Sequence, residues 1–433
     1  MEGPADSPAV RAGRSQPRLW RALGPGLITG AADDDPSGIA TYAQAGTQFG
    51  FALGWTLLLS YPMMVVIQMI CARIGRVTGR GIAGNLRKHY PNWVLQLIVW
   101  MLFVANVLNL GADLGAMAAA ADLMLPLPAW IYVVGFGVIC TAGQLLFTHT
   151  RYVAVLKWLT LSLLAYFGTV SVVHVPWGAF FAGLLWPHFS LARDFWLTVV
   201  AILGTTISPY LFFWQAAQEV EDTKAQPARE PLLKHPVQGP GALARIRIDT
   251  LSGMAVSNLV ALAILVTASA TLHAHGIRDV ASAAQAAEAL RPLAGPAASV
   301  LFAMGIIGTG LLSVPVLAGS AAYALGEARR WPVGLSRQPL QAKAFYAAIA
   351  VATLLGALGN VFALNPVKAL VWAAVLNGIV AAPVMALLML MSMRRSVLGE
   401  FRIPSSWAVM GWLTTVVMAV ASTAFIVASL REA

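Results

Sequence analysis

The sequence predicts an all-α membrane protein. We expect about 11 transmembrane helices, ten of them forming an inverted 5+5 repeat, with helices 1 and 6 broken mid-membrane. Three observations predict it. Of 433 residues, 58% are hydrophobic and only 11% charged, against about 25% charged in soluble domains. Apolar stretches of roughly 20 residues, the length that crosses a bilayer, recur along the whole chain. Two of them, the first and the sixth, carry a proline among polar residues halfway along, where a regular helix cannot continue.

Residues 1–22 are polar and contain Pro and Arg, so they read as a disordered cytoplasmic tail without a secretory signal. The first repeat spans 23–174, with helices over 23–47, 51–72, 94–123, 129–148 and 153–174. The second spans 195–392, with helices over 195–218, 249–272, 296–325, 342–360 and 366–392. An additional helix covers 407–430. The third, eighth and tenth spans are long enough to tilt. The longest inner connection, 219–248, is polar and contains Pro227, Pro231, Pro236 and Pro240, which predicts a flexible loop. The outer connection 273–295 carries an amphipathic segment around Ala281–Leu290.

Basic residues set the orientation. With the N-terminus in the cytoplasm, 23 of the 28 Lys and Arg residues fall on inner segments. That asymmetry predicts an inner-membrane protein with a cytoplasmic N-terminus and an outer C-terminus. The net charge of +10 does not point to nucleic acid, because the charges punctuate apolar spans; the partner is the lipid bilayer. Tryptophans such as Trp93, Trp130, Trp177 and Trp407 sit near span ends as an interfacial belt. Cys71 and Cys140 lie in apolar stretches and read as buried small side chains. The seven histidines fall near span ends or in loops, and His273 with His275 lacks a third metal ligand. No nucleophile–base pair appears, so the sequence gives no reason to expect an enzyme or a cofactor.

The chemistry concentrates in the two breaks. The first span contains Asp33-Asp34-Asp35-Pro36-Ser37-Gly38. Carboxylates at membrane depth are costly and mark ion pathways. A broken helix also frees carbonyls at one stump, which is tolerated only where protein or a cavity covers them. Carboxylate plus freed carbonyl is a cation site of the kind secondary transporters build. The sixth span contains Gly204-Thr205-Thr206-Ile207-Ser208-Pro209-Tyr210. A simple proline kink would also explain it, but interruptions in corresponding positions of two repeats point to a central site.

These two breaks resemble the NRAMP divalent-metal transporter family. Its first-helix GPG…DPGN…AT pattern is similar to Gly24-Pro25-Gly26, Asp35-Pro36-Ser37-Gly38 and Ala40-Thr41, and its sixth-helix A-x-x-M-P-H-N to Thr205 through Leu211. The resemblance covers nearly the whole chain and implies a LeuT-like fold. It implies that Asp35 binds the ion with the Thr205 carbonyl, while Gly38 stands where the family has Asn and Ser208 where it has Met. Loss of that sulfur implies an all-oxygen site suited to harder ions. Tyr210 and Gln215 replace the family's two histidines, and Asp113 with Ala116 replaces an Asp-x-x-Glu pair, so the proton relay is eroded. This pattern resembles the NRAMP-related magnesium transporter branch. The implied function is uptake of Mg2+, and Mn2+, as hydrated or partly hydrated ions, without proton coupling. The metal set is Asp35, Ser208, Thr205, Ser37 and Gly38, completed by water. Rivals are a proton-coupled Mn2+ or Fe2+ importer and an organic-solute symporter.

Other residues carry weaker signals. Asp33 and Asp34 read equally as a vestibule rim or as direct ligands. Asp113 shares a helix face with Asn106 and fits a water-filled pathway or a structural hydrogen bond. Asn377 lies where the family places a polar contact, although helix packing explains it as well. Glu219, with Glu221 and Asp222, would attract cations to the inner mouth or simply solvate a helix end.

Overall fold

The computed structural model describes residues 29–30, 32–146, 163–226, 228–360 and 365–432. The tail 1–22, the Gly24-Pro25-Gly26 sequence and 153–162 of the fifth span lie outside them. Among the described residues, eight segments are long and apolar enough to cross a membrane. One of these, Pro36–Thr78, contains two helices, and Lys343–Gly359 is a further, shorter apolar helix.

The first break is written into the local sequence. Residues 32 and 33 are helical, Asp34 and Asp35 are not, and helix α1 (Pro36–Phe49) begins afresh. Asp35 is its N-cap and Pro36 its first residue, the position where a missing amide proton costs nothing. A short turn at Gly50–Leu53 leads into α2 (Gly54–Thr78), which ends at Gly79 in the left-handed conformation (φ +65°). Next come α3 (Ile82–His89), α4 (Asn92–Asp122), α5 (Ala129–Leu146), α6 (Leu164–Val172) and α7 (Trp177–Leu185). The second break separates α8 (Arg193–Thr206) from α9 (Pro209–Ala225). The chain then runs through α10 (Gly239–Ala268), α11 (Ala298–Arg329), α12 (Lys343–Gly359), α13 (Pro366–Met393) and α14 (Ser405–Glu432).

The connection expected as a flexible loop over 219–248 is shorter and tied down. Helix α9 runs to Ala225 and α10 starts at Gly239. Between them, the Leu232 and Leu233 amides bond the carbonyls of Arg76 and Val77, and Arg76 donates to the Glu230 carbonyl and to Gln238. Pro236 and Pro240 open helical turns instead of keeping the chain irregular, and the unsatisfied carbonyls at the end of α2 give the segment something to bind. The connection over 273–295 does hold a short helix, Ala283–Ala287, with Ala286, Ala287 and Leu290 buried.

Helices α8 and α9 are the most enclosed span, with 89% of its apolar window buried, against 33% for the span at Ser405–Arg431 and 28% for Ala129–Leu146. Helix α1 packs on α10, α13 and α8; α9 packs on α2 and α11. Thus both broken helices lie at the centre, and α14 packs outside them on α8 and α13.

Candidate functional site

Asp35 joins the two breaks. Its Oδ1 accepts from the Gly38 amide and the Ser37 hydroxyl, each at 2.7 Å. Its Oδ2 lies 3.2 Å from the Tyr210 hydroxyl, across the second break, and 3.4 Å from Asn109 Nδ2 on α4. The Tyr210 hydroxyl also sits 3.1 Å from the Ala32 carbonyl, one of those freed where the first helix stops. The structure therefore brings Asp35, Ser37, Gly38 and Tyr210 together, and adds Asn109.

The second break contributes differently. Ser208 Oγ turns back onto its own stump and donates to the carbonyls of Gly204 (2.7 Å) and Thr205 (2.9 Å). The Thr205 carbonyl is thus held at the break, while Thr205 Oγ1 is buried without a hydrogen-bond partner. A Cβ at Gly38 would sit 3.1 Å from that Oγ1 and 3.3 Å from Tyr42 Cε2. Gly38 is therefore closely packed between the Thr205 hydroxyl of α8 and the Tyr42 ring of α1, with little room for a side chain. Gly204 packs so closely on Ala374 and Gly378 that a side chain could not fit there. That contact brings Asn377 beside the second break, where it is 1% exposed and neither amide atom has a partner.

Asp33 and Asp34 do not form an open rim; they are 1% and 5% exposed. Asp33 Oδ2 and Asp34 Oδ1 both approach Ser257 Oγ of α10, at 2.7 and 3.2 Å, and Asp33 Oδ1 has no partner. Asp113 is buried, accepts from Ser313 of α11 at 2.9 Å, and leaves Oδ1 unpartnered. Asn106 turns away to the Leu317 carbonyl. Glu219 is removed from the junction and is not solvated: it is fully buried and paired with Arg245 at 2.5 Å, next to an Asp222–Arg229 pair.

Two features define what this junction can do. Asp33, Asp34, Asp35 and Asp113 are all at least 95% buried, and among the described residues no Lys, Arg or His forms an ion pair with any of them. Each unpaired buried carboxylate costs several kcal/mol, so four together rival the roughly 5–15 kcal/mol that holds a folded domain. Either a bound cation or a proton on the carboxyl can balance each of them. Second, the unpartnered polar atoms here include Asp33 Oδ1, Asn109 Oδ1, Asp113 Oδ1, Thr205 Oγ1, Tyr42 OH and the Asn377 amide. Met117 Sδ packs into the groove at Gly310 beside the Pro36 ring. Among the described residues no three His, Cys, Asp or Glu side chains converge as a preformed metal cluster, so an ion would be held by few carboxylates together with neutral oxygens.

Asn109 was within reach of the sequence, four residues before Asp113 on one helix face. Ser257 was not: a single serine in an apolar span carries no signal.

Comparison with known proteins gives the family and the fold. Residues 26–428 match the family described as natural resistance-associated macrophage protein-like. The chain is 26% identical over 411 residues to the divalent metal cation transporter MntH of Deinococcus radiodurans, covering 93% of this chain and 88% of that one. It is 27% identical over 394 residues to the MntH of Aeromonas hydrophila, covering 88% and 89%. Its fold is similar to that of the Eremococcus coleocola manganese transporter, with a TM-score of 0.76 over 95% of this chain and 87% of that one at 16% identity. Mhp1, a nucleobase-cation-symport-1 family transporter, shares the broader fold at a TM-score of 0.50 and 13% identity, covering 94% and 93%. These relatives bear out the family and the fold; none of them carries the magnesium branch that the sequence had suggested.

Proposed function

Because the chain belongs to the Nramp family, we propose that it is a carrier of hard divalent metal cations, Mg2+ and Mn2+, working by alternating access in the inner membrane with its N-terminus in the cytoplasm. The observation that carries this reading is the group of four buried carboxylates without a cationic partner at the meeting of two broken helices. Mn2+ is favoured by what the relatives are named for. Mg2+ is favoured by the donor chemistry: the Thr205 carbonyl and the amide and hydroxyl oxygens around Asp35 offer nothing that prefers a soft ion.

In this reading Asp35 supplies the charge and the Thr205 carbonyl a neutral oxygen. Ser37 and Tyr210 rotate their hydroxyls between Asp35 and the ion. Asn109 and Asn377 complete the shell directly or through water, and Asp33, Asp34 and Asp113 lower the potential along the approach. Helices α1, α8 and α9 would move against α4 and α11 to open each side in turn. Transport without proton coupling is supported by Tyr210 and Gln215, which stand where the resemblance puts two histidines. The carrier acts on the ion as substrate and needs no cofactor.

Uptake by purified protein in vesicles tests the proposal. Asp35→Asn keeps an oxygen to cap α1 and removes the charge. It should abolish Mg2+ and Mn2+ uptake while the protein stays folded; undiminished uptake would contradict the assignment.

A further inference from the structure

A second charged region lies away from the metal junction. A cavity of about 300 Å3 opens between α3, the far end of α9 and the turn that follows α11. Arg80, Arg87, Lys224 and Arg330 line it, against only two carboxylates, Glu221 and Glu327. Both carboxylates are already engaged. Glu327 takes the Gly81 and Gly84 amides at 2.8 and 2.9 Å and so caps α3, and Glu221 accepts from the Ser336 hydroxyl at 2.6 Å. Among the described residues no ion pair engages Arg80, Lys224 or Arg330. The surplus positive field reaches Arg87, whose guanidinium is pushed below its ordinary pKa by burial first and then by Arg330, with Arg80 adding to this and Glu327 opposing it.

Arg330 adds an independent observation. Among the described residues it is the one non-glycine with positive φ, at +61°. It stands where α11 ends in a left-handed turn, with its own amide and that of Trp331 bonding the Gly326 carbonyl. Glycine is the usual residue at such a position, and a Cβ there costs backbone energy. A long cation at a strained position, lining a cavity already rich in cations, points to a ligand there.

We propose that this cavity binds a phosphate-bearing anion. Arg330 and Arg80 offer forked donors to phosphate oxygens and Lys224 a point charge, with the indole of Trp331 along one wall. The cavity lies on the side of the membrane where the basic connections gather, within reach of both a phospholipid headgroup and a free phosphate.

The test uses the full chain and the variants Arg330→Gly and Lys224→Gln. Arg330→Gly relieves the strained turn, so its melting temperature should equal or exceed that of the wild type, and lost binding cannot be blamed on misfolding. One arm reconstitutes the protein in phosphatidylcholine alone or with phosphatidylglycerol; the other adds inorganic phosphate to protein in detergent. In at least one arm the wild type should gain thermal stability, and each variant should weaken that binding on the order of tenfold. A gain confined to phosphatidylglycerol identifies a lipid headgroup; a gain confined to phosphate identifies a soluble ligand. No gain in either arm, or a gain that Arg330→Gly leaves unchanged, overturns the proposal.

Discussion

The two helix breaks share a proline and differ in almost everything else. The first holds three carboxylates, all buried, and hands Asp35 to donors from three separate elements. The second holds no charge; Ser208 folds onto the carbonyls of its own stump and Tyr210 reaches across to the first. The first break is thus the source of charge, and the second supplies fixed neutral dipoles and closes the junction. The division has a physical reason. Charge at membrane depth is costly, so collecting it in one break and satisfying the other internally limits the number of groups that depend on the ion.

Substitutions can break or sharpen that contrast. The largest effect should come from Asp35→Asn, which we expect to reduce uptake by about a hundredfold or more, since contacts to a charged group contribute roughly 1.5–3 kcal/mol each; radiotracer or dye uptake reads it. Asp33→Asn should cost about tenfold in apparent affinity, through the weaker field of a neighbour, measured as a rise in the half-saturating metal concentration. Ser208→Met should barely change Mg2+ uptake but should make Cd2+ a much stronger competitor, because a thioether favours softer ions. The smallest effect should come from Met117→Leu. Its sulfur lies beside Pro36, yet the metal preference should not move; a loss of Mn2+ selectivity there would mean that the site has kept a sulfur after all.

Much of the fold was legible because membrane-length apolar runs and proline interruptions are local signals. Span edges moved by a few residues, as at α2, which continues to Thr78 where the apolar run had suggested 72. The loop over 219–248 was misjudged because its order comes from the ends of α2, far away in sequence. At the site, Asp35 and Tyr210 could be read from the breaks themselves. The burial of Asp33 and Asp34 could not, since it depends on Ser257 approaching from α10. Glu219 looked like a solvated helix end because its partner Arg245 is 26 residues away, at the start of another helix.

The most direct measurement is ion flux into vesicles that contain the wild-type protein, with a Mg2+-sensitive dye inside one sample and a pH dye inside another. Mg2+ entry without acidification, lost in Asp35→Asn, is the predicted result. Acidification that tracks Mn2+ entry, with no Mg2+ signal, would contradict the account and assign the buried carboxylates to a proton-coupled manganese carrier.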